Sequence, residues 1–441
     1  MKGTALAPVV FLLAAASLAA CGDSAKKIGA TIKGDRIAVI EQTKALEQDK
    51  GLTENKPSLP HKIVNLSWPQ TGYDSEHAPP YAEAPTNPKI VWKASIGAGS
   101  SSDFKLLAHP VIDRGVIYTM DSQGLIRAFD TKTGERKWER DTTPEESDDK
   151  AIGGGLAVDG DTLYATTGFG NVFALEAKTG AVKWRKALLK PLRAAPTVGD
   201  NRIYVVSIDN DLNALAAANG DILWHQSGIA ESATLMGASS PAVDGDNVVV
   251  AYNSGEIFGL RAQNGRISWN YSLAAPAQVG ALPAIADIRG LPVIDHGRIY
   301  AISHSGRIAA IDQRSGDRVW ESDIGGIDTP VVAGDAVFVY GGDSQLIALT
   351  RDSGRILWVK SLPKLTDPSD KDSDRLVWAG PLLAGERLWM VNAQGHLASF
   401  SPQDGASLDS IDLGDPLYLS PVVADRTFYV VRDDGTLIAL R

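Results

Sequence analysis

The chain has 441 residues, 44% of them hydrophobic and 22% charged, an ordinary soluble composition with length for one large core or several small ones. Its formal net charge of −10 repels phosphate backbones and argues against nucleic acid as a partner. Cys21 is the one cysteine, which excludes a structural disulfide within the chain and any cluster of thiolate metal ligands.

The N-terminus carries Lys2 and then an apolar run, "ALAPVVFLLAAASLAA" at 5–20, too short to favour a spanning helix and ending in small residues. That pattern predicts a secretory signal over residues 1–20. Its end, Leu18-Ala19-Ala20-Cys21, resembles the bacterial lipobox, as opposed to an ordinary cleaved signal with an incidental cysteine. The resemblance implies that Cys21 becomes the lipidated first residue, with several acyl chains giving a stable anchor where one would be marginal. Gly22 follows in place of the aspartate that commonly retains such proteins at the inner membrane, so the expected location is the periplasmic face of the outer membrane.

Residues 21–88 read as a tether. The stretch "DSAKKIGATIKGDRI" is polar, and "IAVIEQTKALEQDKG" fits either a short strand or a helical turn. A proline-rich stretch, 55–88, should be extended and not separately folded, with Trp68 packed against the domain that follows.

From residue 89 the chain repeats. Anchors stand at Pro110, Leu156, Pro196, Pro241, Pro292, Pro330, Pro381 and Pro421. Eighteen residues after each anchor lies a small residue: Ala128, Ala174, Ala214, Gly259, Ala310, Ala348, Ser399 and Ala439. Each unit holds apolar runs separated by glycine- or asparagine-bearing turns, which is a hairpin signal. A further turn leads to a run ending in tryptophan. The link from that tryptophan to the next anchor varies from 10 to 23 residues while the 18-residue block does not, so insertions fall in surface loops. Eight such units without helical periodicity predict an all-β fold: an eight-bladed β-propeller of four-stranded antiparallel blades over residues 89–441. The last unit ends at Arg441 without its tryptophan strand, and "KIVWKASIG" around Trp92 should complete it from the front, closing the ring and removing two open sheet edges. The tryptophans at 92, 138, 184, 224, 269, 320 and 358 hold one repeat position, with Asp409 in the eighth place. A ring-wide set of this kind is expected to pack blade against blade.

The small-x₅-Gly-x₃-Trp pattern, as in Ala128–Gly134–Trp138 and Ala174–Gly180–Trp184, resembles the PQQ-type repeat of quinoprotein propellers. Two classes share it: the pyrroloquinoline-quinone dehydrogenases, and the BamB-type lipoproteins of the outer-membrane β-barrel assembly machinery. With a lipobox, a short polar tail and one ring, the chain as a whole resembles the second. The segment "NLSWPQTG" at 65–72 is similar to one that precedes the ring in that family. In "LLKPLRAAPTV", Leu192 and Arg193 match the family's partner-binding pair, although the family's preceding leucine falls on Lys190. In "ADIRGLPVI", Asp287 matches the first acid of the second binding loop and Arg289 replaces the second. The resemblance implies a non-catalytic scaffold without cofactor. It would bind the periplasmic domains of BamA within the barrel-assembly complex, reach the membrane through its lipid anchor, and assist folding and insertion of unfolded outer-membrane proteins.

The rival reading is a periplasmic quinoprotein-like oxidoreductase or a small-ligand-binding propeller. The densest acidic run, 367–381, has Asp370, Asp372 and Asp374 in EF-hand-like alternation, but Arg375 and Pro381 stand where the turn glycine and the last ligand belong, so it reads as a solvated loop. The seven histidines are scattered without His-x-x-x-His spacing, against a zinc site. No nucleophile elbow or phosphate loop is present.

Overall fold

The computed structural model describes residues 46–144, 151–231, 234–274 and 285–441; Cys21 and the signal lie outside the described residues. Thirty-two strands form eight four-stranded antiparallel sheets. In blades 1 to 7, spanning 111–141, 154–187, 197–227, 242–272, 293–322, 331–361 and 378–412, the strands run outward from a central channel in chain order. The eighth sheet joins the strands of 422–440 to Ile90–Ser95, with Trp92 opposite Ala439. Closure by the N-terminal strand is as expected, and the eight-bladed propeller is the observed fold.

Burial explains why the strands read as they do. The inner three strands of a blade are sandwiched between neighbouring blades, so their side chains are covered on both faces and their sequences are nearly continuous apolar runs. Val116–Met120 and Arg202–Val206 are buried at four of five positions. The outermost strand has one covered face, and Arg136–Asp141 alternates accordingly.

Each tryptophan of an outer strand faces the small residue eighteen positions after its anchor, as in Ala128–Trp138 and Gly259–Trp269. A side chain at 259 would collide: a Cβ there would lie 2.1 Å from the Trp269 ring. Each indole then reaches forward to the next blade. Its N–H donates to a carbonyl in that blade's outer turn, for example Trp138 to Ala177 O (3.0 Å) and Trp269 to Gln313 O (2.9 Å). Its face lies against the turn glycine, such as Gly180 or Gly316.

The same geometry accounts for Asp409. A tryptophan at that place in blade 7 would dock on the outer turn of blade 8. Blade 8 has no such turn, because its two outer strands come from separate parts of the chain; they pair along an antiparallel ladder whose outer end is the exchange of hydrogen bonds between Lys89 and Arg441 (2.9 and 2.8 Å). Position 409 is left free of the docking constraint, and its carboxylate pairs with Arg387.

Residues 47–86 form a strap across one end of the channel that touches all eight blades. Trp68 exchanges backbone hydrogen bonds with Ile112 of blade 1 (2.7 and 2.8 Å), and Pro69 O accepts from Val158 of blade 2 (2.8 Å). The Gln70 side chain pairs with both backbone groups of Val198 in blade 3 (3.0 and 2.8 Å). Ser75 O and Glu76 O accept from Val243 and Ile294 of blades 4 and 5 (2.6 and 2.9 Å). Ser58 O, Ala82 O and Asn65 O serve Asp335, Gly385 and Asp425 of blades 6, 7 and 8 (3.2, 3.0 and 2.7 Å). Trp68 is buried in the ring's core, as expected.

Candidate functional site

The strap bonds to the far part of the inner strands or to the hairpin turns beyond them. The links between blades therefore enter at the opposite end, and the two faces of the ring are chemically different. On the link face three successive links, 188–195, 228–240 and 285–291, are knitted together. Ser240 Oγ donates to Ala195 O (2.9 Å), Ser239 Oγ to Gly290 O (3.1 Å), and Leu235 N to Asp287 Oδ2 (2.7 Å).

In the first link, Leu192 and Arg193 part company. Leu192 is fully buried among Tyr164, Val198, Ile203 and Leu215, and its N–H donates to Thr167 O (3.3 Å). Leu192, expected as half of a partner-binding pair, has its side chain turned inward, where it anchors the loop. Arg193 is half-buried, with Nε enclosed and unpaired. Its backbone passes so close to Gly153 that a Cβ there would lie 2.8 Å from the Arg193 Cα.

The exposed apolar residue of this link is Leu189, 90% accessible. Its backbone is held at φ +62°, a left-handed conformation that costs a non-glycine residue about 1 kcal/mol. The flanking residues enforce it. Leu188 N donates to Gly170 O (2.8 Å), Lys190 pairs with Asp209 (3.3 Å) and Asp211, and Pro191 O accepts from Ile208 N (3.0 Å). Ile229 and Met236 of the next link and Ile285 of the third are exposed as well. Family matching placed the preceding leucine on Lys190 and missed Leu189, because the link exposes 189–191 and turns inward at Leu192, which the sequence pattern does not reveal.

Asp287, the expected acid of the second binding loop, is turned inward and supports its link. It is 3% exposed, its carboxylate caps Leu235 N, and its backbone carbonyl accepts from His304 N (2.9 Å). Burial pushes its pKa up, against the hydrogen bond from Leu235 and the positive charge of Arg289. Two residues on, Arg289 lines the channel, and so does Arg193.

The channel is a cavity of about 140 Å³ floored by Trp68, Gly72 and His77 of the strap. Burial and the Arg289 charge push His109 down to about 4, and burial alone does so for His77, whose Nδ1–H donates to Pro292 O (2.9 Å). Asp328 sits within the cavity, pushed up to about 6 by burial despite Arg289 and the Gly380 N–H. One of its oxygens, Oδ2, is enclosed without a partner. Asp328 is the one carboxylate among the described residues of the lining. Calcium takes six to eight converging oxygens, so this donor set does not fit a calcium–quinone centre.

The comparisons agree with this geometry. A family profile described as "Outer membrane protein assembly factor BamB" matches residues 81–150 and 145–360. The chain is 26% identical over 369 residues to the BamB assembly factor of Yersinia pestis, covering 82% of this chain and 90% of that protein. The crystal structure of BamB from Moraxella catarrhalis superposes with a TM-score of 0.67 at 19% identity, covering 80% of this chain and all of that one. The quinohemoprotein alcohol dehydrogenase of Comamonas testosteroni follows at 0.65 and 14%, with 86% and 81% covered; at these identities the likenesses speak for the fold alone. The profile spans well over half of the 441 residues, and the chain belongs to the BamB family of outer membrane protein assembly factors.

Proposed function

We propose that this protein is a non-catalytic scaffold of the barrel-assembly machinery. Residues 1–20 are a signal, Cys21 carries the lipid, residues 21–88 lead to the ring, and the ring works at the periplasmic face of the outer membrane. Its link face binds the periplasmic domains of BamA, and the assembly assists folding and insertion of unfolded outer-membrane proteins.

The observation that carries this reading is Leu189, held at positive φ with its side chain in solvent. The flanking contacts impose this conformation on a side chain that itself contributes nothing to the folded chain, which points to a contact made outside it. The unpaired guanidinium of Arg193 in the same link adds a forked donor, and the pairing of an apolar anchor with an arginine is favoured at interface hot spots.

Leu189→Asp and Arg193→Glu, melted and then tested by pull-down on the periplasmic part of BamA, provide the test. Each should weaken capture by about 2 kcal/mol or more. Leu189→Asp should leave stability within about 0.5 kcal/mol, since the side chain is exposed. If both variants fold and bind like the wild type, the interface lies elsewhere. Cys21→Ala should still fold, and it should leave the outer-membrane fraction; its full retention there would end the lipid-anchor reading. The oxidoreductase alternative is tested by calorimetry with pyrroloquinoline quinone and Ca²⁺, where saturable binding would favour it.

A further inference from the structure

We infer that the central channel is a binding site for a compact organic carboxylate, one amino-acid-sized acid, entering from the link face. Three observations converge. First, the channel is blind: the strap floors it with Trp68 and His77, so a ligand enters by an end and does not thread through. Second, Arg193 and Arg289 both line it; Arg193 Nε is enclosed without a partner, and Arg289 acts on the Asp328 and Asp287 carboxylates through its charge with no hydrogen-bonded ion pair to either among the described residues. A guanidinium fork matches a carboxylate through two parallel hydrogen bonds, and in a partly enclosed site such a charge-assisted pair is among the stronger polar contacts available. Third, the wall is mixed: Leu291, Leu382 and the Tyr418 ring supply apolar surface beside polar groups such as Ser240 and Thr329, which suits an acid with a hydrocarbon body. The lining carries two fixed positive charges against the single carboxylate of Asp328, so an entering anion completes the balance.

The acid can be the C-terminal residue of a polypeptide or a free small acid; the recognised chemistry is the same. The inference goes beyond the proposed BamA interface; the two share Arg193, so the test is placed on Arg289, which lines the cavity and has no part in that interface.

The test uses the purified whole chain in calorimetry. Four probes separate the sources: N-acetyl-leucine, its amide, a pentapeptide ending in leucine with a free carboxylate, and the same pentapeptide amidated. The acids should bind and the amides should be at least tenfold weaker. Tighter binding of the peptide acid assigns a chain end, and binding of N-acetyl-leucine alone assigns a free acid; either outcome upholds the site. Arg289→Gln should weaken the acids tenfold or more with an unchanged melting temperature, and Arg289→Lys should recover part of the loss.

Affinity for the acids should also rise several-fold between pH 7.5 and 5.5 as Asp328 takes a proton. Of the other titratable groups around the cavity, Tyr340 stays neutral, and His77 and His109 stay neutral until about pH 4. Equal binding of acid and amide, no binding of either acid, or an Arg289→Gln variant that binds like the wild type would overturn the assignment. Failure of the BamA pull-down would leave it standing.

Discussion

Gln70→Leu isolates what the strap contributes. The Gln70 side chain is 8% exposed and acts as one rung of a β-ladder: Nε2 donates to Val198 O at 3.0 Å and Oε1 accepts from Val198 N at 2.8 Å. Leucine has similar bulk and no polar atoms. The substitution therefore leaves a buried N–H and a buried C=O of blade 3 without partners, at about 1–3 kcal/mol each, or about 2–6 kcal/mol together. The backbone bonds of the neighbouring Trp68 and Pro69 to blades 1 and 2 should survive, so the loss is local. With a urea m-value of about 3 kcal/mol/M, as suits a chain at or above the small-protein range, the unfolding midpoint should fall by roughly 1 M. Near-ultraviolet circular dichroism follows that transition, and hydrogen exchange follows the Val198 amide, which should lose protection while the Ile112 amide keeps it. A midpoint within about 0.2 M of wild type, together with an undisturbed Val198 amide, would show that the strap lies on the ring without supporting it.

Three other perturbations probe the rest of the frame. Gly316→Ala places a Cβ 2.6 Å from Trp269 Cγ at a residue with φ +77°; it should cost at least about 2 kcal/mol by thermal or urea melting, and a neutral result would mean the indole docking is loose. Stability should fall as pH drops from 6.5 to 4. Fully buried His77 is held neutral down to about 4, so the unfolded chain binds the extra proton in that window, for a loss on the order of 3 kcal/mol. His109 acts in the same sense and Asp328, pushed up to about 6, in the opposite one. His77→Asn, which keeps a donor and tolerates the φ of +60°, should flatten the profile in melts from pH 7 to 4. Finally, deletion of residues 1–95 should melt far below deletion of 1–46, since only the former removes the strap and the strand around Trp92; equal melting temperatures would contradict closure by that strand.

The repeat, the blade count and the closing strand were legible in the sequence because they rest on local chemistry. A strand covered on both faces must be apolar throughout, a tight turn must carry glycine or asparagine, and an indole docked across a strand pair demands a small residue opposite it. These demands recur at fixed spacing, as Ala128 with Trp138 and Ala348 with Trp358 illustrate. Asp409 looked like a lapse in that pattern. Only the assembled ring gives the reason: its would-be docking turn is where two separate parts of the chain meet. The site was legible in part. Resemblance to the family's binding loops singled out the 188–195 and 286–290 links, but not which side chains face outward, because that is decided by how each link packs on the ring. Leu192 and Asp287 turned inward to hold the links, while Leu189 and Arg289 face solvent and channel. The path of the strap, and the meeting of Arg193, Arg289 and Asp328 from three separate links, were decided by tertiary structure alone. The circular order of blades brings those residues to one axis, and nothing in the local sequence around any of them records the other two.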